Sequence, residues 1–240
     1  MNTDVYTFSS RGGREYNEDS LFYVENDMAG LYIVADGLGG HQFGEIASKT
    51  ACETLASEWK KECTDRKQWL ADVLVKANNN ILELQKEKNT VLKSTAVVLA
   101  IDDDRAYWAN VGDSRLYFLH DSSIYSVTED HSVAYKKYKA GEITKDQIGN
   151  DEDQSRLLRS LGSTERYEAQ LYESDVLIDK GDAFLLCSDG VWEYLKEEEI
   201  LIDYFKADSS KDWAERLLVR LMSRIDGKND NLSLIGVMIR

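Results

Sequence analysis

Proline is missing from all 240 residues, where an average composition would supply about a dozen. Its absence excludes polyproline linkers, PxxP segments and any cis-proline site. Cysteine is scarce: Cys52, Cys63 and Cys187 are odd in number and lack CxxC spacing. That fits neither a disulfide framework nor a zinc site, so buried reduced thiols are expected. No apolar run approaches the roughly 18 residues of a membrane span, and the best, 96–101 and 183–187, have strand length. Met1-Asn2-Thr3-Asp4 has neither the basic nor the apolar region of a signal peptide. Lys and Arg number 29 against 44 Asp and Glu, a net charge of −15, which argues against binding a phosphate backbone. The expectation is a cytoplasmic protein, monomeric by default, that binds neither nucleic acid nor membrane.

What is present is 42% apolar residues, enough at this length to bury a large core. Short β-branched or aromatic runs at 5–8, 20–24 and 30–35 predict strands. Helical spacing of Ile46, Cys52, Leu55 and Trp59 predicts a helix over 44–61, and that of Leu70 through Leu84 a second over 67–86. Four strands are predicted at 95–101, 105–111, 115–119 and 124–127; the turns between them are too short for crossover helices, so they pair antiparallel. A short helix over 133–139, strands at 176–178 and 184–187, helices over 197–205 and 211–225, and a last strand at 232–239 complete the pattern. No linker or repeat interrupts it. The fold class expected is α+β, one domain over 1–240: a sandwich of two antiparallel sheets flanked by pairs of helices.

Acidic residues stand where strands end. Asp36 closes Leu31-Tyr32-Ile33-Val34-Ala35 and is followed by Gly37-Leu38-Gly39-Gly40; Asp189 closes Leu185-Leu186-Cys187-Ser188 and is followed by Gly190. Asp113 lies at a strand-to-strand tip, Asp230 precedes the final strand, and Glu18-Asp19 precedes an early one. One such acid is ordinary turn chemistry. Several converging without partners repel one another and persist only if cations neutralise them. A donor set of oxygen without His or Cys selects hard ions, Mg²⁺ or Mn²⁺ in preference to Zn²⁺. Arg14, a few residues before the acidic pair, has the bidentate fork that a phosphate monoester needs.

This pattern resembles the metal-dependent type 2C (PPM) serine/threonine protein phosphatases, bacterial branch. The matching pieces are Arg14-x-x-Asn17-Glu18-Asp19-Ser20, Ala35-Asp36-Gly37-Leu38-Gly39-Gly40-His41, Gly44-Glu45-Ile46-Ala47-Ser48, Gly112-Asp113-Ser114-Arg115, Thr128-Glu129-Asp130-His131-Ser132, Ser188-Asp189-Gly190-Val191-Trp192 and Asp230-Asn231, in family order over nearly the whole chain. The resemblance implies hydrolysis of phosphoserine and phosphothreonine in proteins by a metal-activated water, with two core Mn²⁺ or Mg²⁺ ions. By position, Asp36 bridges the ions, the Gly37 carbonyl binds one, and Glu18, Asp189 and Asp230 complete the set. Asp19 matches a position acting through metal-bound water, Asp113 with Asp189 matches a weaker third site, and Arg14 matches the phosphate-binding arginine. Leu38 stands where eukaryotic members carry a histidine proposed as general acid. His41, in a glycine-rich turn, reads as structural. The segment 132–163 falls at the family's variable flap and brings Arg156 and Arg159 forward as substrate contacts. Phosphorylated proteins, with a Ser/Thr kinase of the Hanks type and its targets, are the implied partners.

Two other readings compete. A non-catalytic pseudophosphatase would be marked by loss of a metal acid, and all are present. Asp102 and Asp104, after an apolar strand, resemble the aspartate-nucleophile phosphatases, but Ala106 fails their last motif position and 105–111 reads as a returning strand. No Gly-x-x-x-x-Gly-Lys-Ser/Thr loop occurs, and no cysteine has an arginine six residues on.

Overall fold

A computed structural model describes residues 2–26, 29–39, 43–60, 63–165 and 167–240. His41 and Gly40 lie outside the described residues. Eleven strands are found among those described: β1 (Thr3–Ser10), β2 (Asp19–Glu25), β3 (Ala29–Leu38), β4 (Lys93–Ser94), β5 (Ala96–Asp102), β6 (Arg105–Val111), β7 (Arg115–His120), β8 (Ser123–Val127), β9 (Gln170–Glu173), β10 (Ala183–Cys187) and β11 (Leu232–Ile239). The helices are α1 (Phe43–Glu58), α2 (Arg66–Lys88), α3 (Val133–Lys139), α4 (Asp189–Trp192), α5 (Glu197–Phe205) and α6 (Ser210–Met222), with a 3₁₀ turn at Lys145–Asn150.

Two antiparallel sheets result, one ordered β1-β11-β10-β7-β8 and the other β2-β3-β5-β6-β9, with β4 added beside the end of β3. Strand alternation sorts the side chains into three apolar layers. Leu31, Ile33 and Ala35 of β3 face the α1–α2 pair. Tyr32 and Val34, the alternate residues, meet Phe118, Phe184, Leu186, Ile235 and Val237 between the sheets. The outer face of the other sheet, including Tyr117, Leu185 and Leu234, packs against Trp213, Leu217 and Leu221 of α6. The expected sandwich flanked by helix pairs is therefore present.

With no proline, tight turns rest on residues that tolerate the left-handed region. Asp103 (φ 57°) turns β5 into β6, and Asp121 (φ 50°) with Ser122 (φ 63°) turns β7 into β8. Asn89 (φ 49°) ends α2 with its N–H on the Gln85 carbonyl, and Asp65 caps the other end by accepting from the Gln68 N–H.

Two expectations need correction, and a third is met. The strand expected at 176–178 is a turn: the Ser174 hydroxyl both donates to the Val176 carbonyl and accepts from its N–H, diverting that backbone from a ladder. The strand there is β9, earlier and more polar, at the sheet edge. Cys52 and Cys187 are free and buried as expected, but Cys63 is only half-buried. Asp102, finally, accepts from Nε and Nη2 of buried Arg66 at 3.3 and 3.1 Å and turns directly into β6. It braces the start of α2, and a hairpin there leaves no place for the loop and helix of an aspartate-nucleophile enzyme.

Candidate metal centre

The interior row of the sandwich explains where the acids lie. On β3 the inward residues are Tyr32 and Val34, so the next in phase is Asp36. Asp19 pairs directly opposite Asp36 across β2 and β3, and residues opposite one another share a face. From the other sheet, the inward series Phe184, Leu186 of β10 and Ile235, Val237 of β11 runs in phase to Ser188 and Ser233. At this one end of the sandwich the apolar row gives way to a polar layer. The Ser188 hydroxyl donates to Asp19 Oδ2 at 2.9 Å and accepts from the Ser233 N–H at 3.1 Å. The Asp36 N–H donates to Thr95 Oγ1 at 3.0 Å, and the Ser94 hydroxyl donates to the Asp36 carbonyl at 2.9 Å. Sequence reading missed this layer of serines and threonine, although the period-two phase of the flanking apolar residues contained it.

A cleft of about 410 Å³ opens on this layer, and Arg14, Glu18, Asp36, Asp113, Asp189 and Asp230 all line it, together with Gly37. Asp19 lies beneath its floor, 8% exposed, with Oδ1 lacking any hydrogen-bond partner. Glycine is required where backbones cross at the cleft. A Cβ on Gly37 would stand 2.1 Å from the Gly44 carbonyl oxygen, and one on Gly190 would stand 2.1 Å from that of Asn231.

The electrostatics are those of crowded anions. Burial, then Asp189, Asp19, Asp113 and Asp230, drive the Asp36 carboxyl well above its ordinary range. Burial and the neighbouring acids push Asp19 up to about 7 and Asp189 up to about 6. Burial and then Asp189 raise Asp113 well above its usual value, and burial is the main cause of the rise at Glu18. Glu193, one turn beyond Asp189, is lifted to about 9 by burial and the same acids.

Among the described residues no three His, Cys, Asp or Glu are already gathered to hold an ion, and protein donors occupy three of the carboxylates. Asp230 accepts Arg14 Nε at 3.0 Å and Nη2 at 2.6 Å, with Oδ1 also on the Asn231 N–H. Asp189 accepts the Gly190 N–H at 2.6 Å, and Glu18 accepts the Gly44 N–H at 3.0 Å. Yet the donor set is all oxygen, Asp19 keeps an unpaired buried oxygen, and the leading influences on Asp36 are burial and four anions. These residues fit hard divalent cations.

Arg14 is exposed, 58% of its side chain reaching solvent, and its fork is in use on Asp230. In the segment 132–163, Arg156 pairs with Asp153 at 2.7 Å, and Arg159 pairs with Glu168 at 2.6 Å while its Nη1 lies 3.3 Å from His131 Nε2. The residues of this segment that line the cleft are Ser155 and Leu157, and Gln154 Nε2 reaches Asp189 Oδ2 at 3.4 Å. The segment is tied down at both ends. His131 receives the Gly112 N–H on Nδ1 and donates its own backbone N–H to the Gly112 carbonyl, and Leu161 pairs with Ser94. Lys137 closes the middle on Asp151 and Asp153. His120 lies elsewhere, 2.8 Å from Asp182.

Known proteins share this sequence pattern and this fold. A family model for protein phosphatase 2C matches residues 9–223. The serine/threonine phosphatase stp of Listeria welshimeri is 32% identical over 232 residues, covering 93% of this chain and 90% of that one. Among solved structures, the S. agalactiae serine/threonine phosphatase superimposes with a TM-score of 0.87 at 26% identity, covering 100% of both chains. The catalytic domain of the serine/threonine protein phosphatase PstP in complex with two manganese ions superimposes with a TM-score of 0.83 at 26% identity, covering 99% of each.

Proposed function

The chain belongs to the protein phosphatase 2C family and is a metal-dependent serine/threonine protein phosphatase, and we propose that Glu18, Asp36, Gly37, Asp189 and Asp230 hold its two core ions. Its cofactors are Mn²⁺ or Mg²⁺, as in the manganese complex of PstP. The observation that carries the assignment is the buried anion layer where the sandwich's interior row turns polar, with Asp36 at its centre and an unpaired Asp19 oxygen beneath. Bound there, two divalent ions supply neutralisation of the phosphoryl oxygens and a water nucleophile at neutral pH.

The chain's own residues do the rest. Asp36, fixed through its own N–H and carbonyl by Thr95 and Ser94, presents its carboxylate without backbone freedom. Asp19, held by Ser188, accepts protons or hydrogen bonds from beneath the floor. Arg14 turns its fork from Asp230 to the phosphoryl oxygens once Asp230 is neutralised otherwise, and it orients the ester in the cleft. Asp113 and Asp189 make a weaker third site. Residues 1–240 act as one catalytic domain with 132–163 as a flap, from which Arg156 and Arg159 meet substrate at the rim. Phosphorylated proteins are the substrates; a Hanks-type kinase and its targets are the partners we infer, acting in the cytoplasm with the enzyme as a monomer. Among the described residues no helix is long and apolar enough to cross a membrane.

The test is phosphate release from a phosphothreonine peptide with Mn²⁺, with Mg²⁺ and with chelator. Release is expected with either ion and none with chelator; turnover surviving exhaustive chelation would sink the metal assignment.

A further inference from the structure

We propose that Trp192 is a positioning residue that sets the spacing of Asp113 and Asp189 by holding the main chain of Asp113. The inference rests on the reading of these two acids as the weaker ion site. Asp189 opens α4 and Trp192 closes it, so a single rigid turn joins them. The indole Nε1–H donates to the Asp113 carbonyl at 2.9 Å, across 79 residues of sequence. One helical turn thus carries one acid on its own backbone and grips the other at the tip between β6 and β7.

The grip is itself clamped. The Arg115 guanidinium lies 3.5 Å from the Trp192 ring centroid. Arg115 is held by Asp130 through Nε at 2.8 Å and Nη2 at 2.6 Å, and its Nη1 reaches the Tyr117 hydroxyl at 3.3 Å. Asp113, Arg115, Asp130 and Trp192 are all buried. The indole therefore cannot swing away without unstacking a paired guanidinium. Asp189 is the leading charge acting on Asp113, so the two acids repel, and the bond from Trp192 opposes their separation. The far end of the stack, Asp130, lies two residues before the first residue of the flap.

Trp192→Phe keeps a ring beneath Arg115 and removes the donor together with part of the buried indole, a loss of volume that the control shares. Trp213→Phe is the matched control: Trp213 also donates its indole N–H to a buried carbonyl, that of Ile200, but lies in the α5–α6 pair. Mn²⁺ binding to purified protein would be followed by calorimetry, with melting temperature alongside. Losing one hydrogen bond of this kind should weaken the weakest Mn²⁺ class about three- to tenfold and leave the tighter classes within about twofold. Trp213→Phe should lower the melting temperature without moving any class, and Trp192→His, which restores a ring N–H, should recover part of the loss. Asp130→Asn, which loosens Arg115 without touching Trp192, should shift the weak class in the same direction. A weak class that Asp113→Ala leaves unchanged overturns the reading of Asp113 and the inference with it. A weak class abolished by Asp113→Ala but moved by neither Trp192→Phe nor Asp130→Asn overturns the inference alone.

Discussion

Asp19→Asn should stabilise the protein without metal and destabilise it with metal. Burial and the surrounding acids push the Asp19 carboxyl from 3.8 up to about 7. At 1.36 kcal/mol per tenfold, keeping it ionised at pH 8 costs the fold about 4 kcal/mol. Asparagine retains an acceptor for the Ser188 hydroxyl, and its amide replaces the unpaired Oδ1 with a donor facing anions. A gain of about 2–4 kcal/mol follows, or about 4–16 °C in melting temperature for a chain of this length. The pH dependence fixes the sign. Between about pH 4 and 7 the folded metal-free protein binds a proton at Asp19 that the unfolded chain has lost, so wild-type stability falls as pH rises through that window. The variant lacks this part of the slope, and its advantage should shrink to less than half, about 1.6 kcal/mol or below, by pH 5. Saturating Mn²⁺ reverses the order, because ligand binding to the folded state adds about 2.7 kcal/mol at one hundred times Kd and the variant binds less tightly. Melting curves at pH 5 and pH 8, in chelator and in Mn²⁺, give all four values. A variant that melts below wild type in chelator at pH 8, or gains equally at both pH values, refutes the reasoning.

Asp36→Asn should lower kcat by about 10²–10³-fold or more, as expected for losing a central preorganised electrostatic contact, while raising the metal-free melting temperature; turnover near the wild-type rate by this variant in the peptide assay would contradict the central role of Asp36. Arg14→Ala should lower kcat/KM for a phosphopeptide and also tighten Mn²⁺ binding by up to about fivefold, since an exposed ion pair contributes up to about 1 kcal/mol and Asp230 no longer has to release it. Calorimetric Mn²⁺ affinity equal to or weaker than wild type would mean that Arg14 does not compete for Asp230.

Much of this site was legible in the sequence because strand phase is a strong signal. The run 31–35 carries Asp36 to the interior end of β3, and the Gly beside each of Asp36 and Asp189 marks backbones that approach within contact distance. The flanking helices followed from apolar spacing in the same way. What escaped was what depends on partners distant along the chain. The strand misplaced at 176–178 looked apolar because Ile178 is buried in the layer between the sheets, but the Ser174 hydroxyl turns the backbone there. Its replacement, β9, carries Gln170 and Glu173 and had no such signal. The pairing of Arg14 with Asp230 spans 216 residues and that of Trp192 with Asp113 spans 79; no local pattern encodes either.

Asp19 and Asp36 belong to one sheet and Glu18 immediately precedes it; Asp189 follows β10 and Asp230 precedes β11 of the other sheet, and Asp113 lies in the link between the two. Like charges thus face each other across the seam where the two halves of the sandwich meet. Stripped of ions, this end is the natural starting point for unzipping: the sheets repel there, whereas the rest of the interior row is apolar. Filled, it becomes a clasp whose release must precede separation of the layers. The lifetime of the folded chain, and its resistance to proteases that attack opened forms, should therefore follow the free divalent-ion level as closely as turnover does.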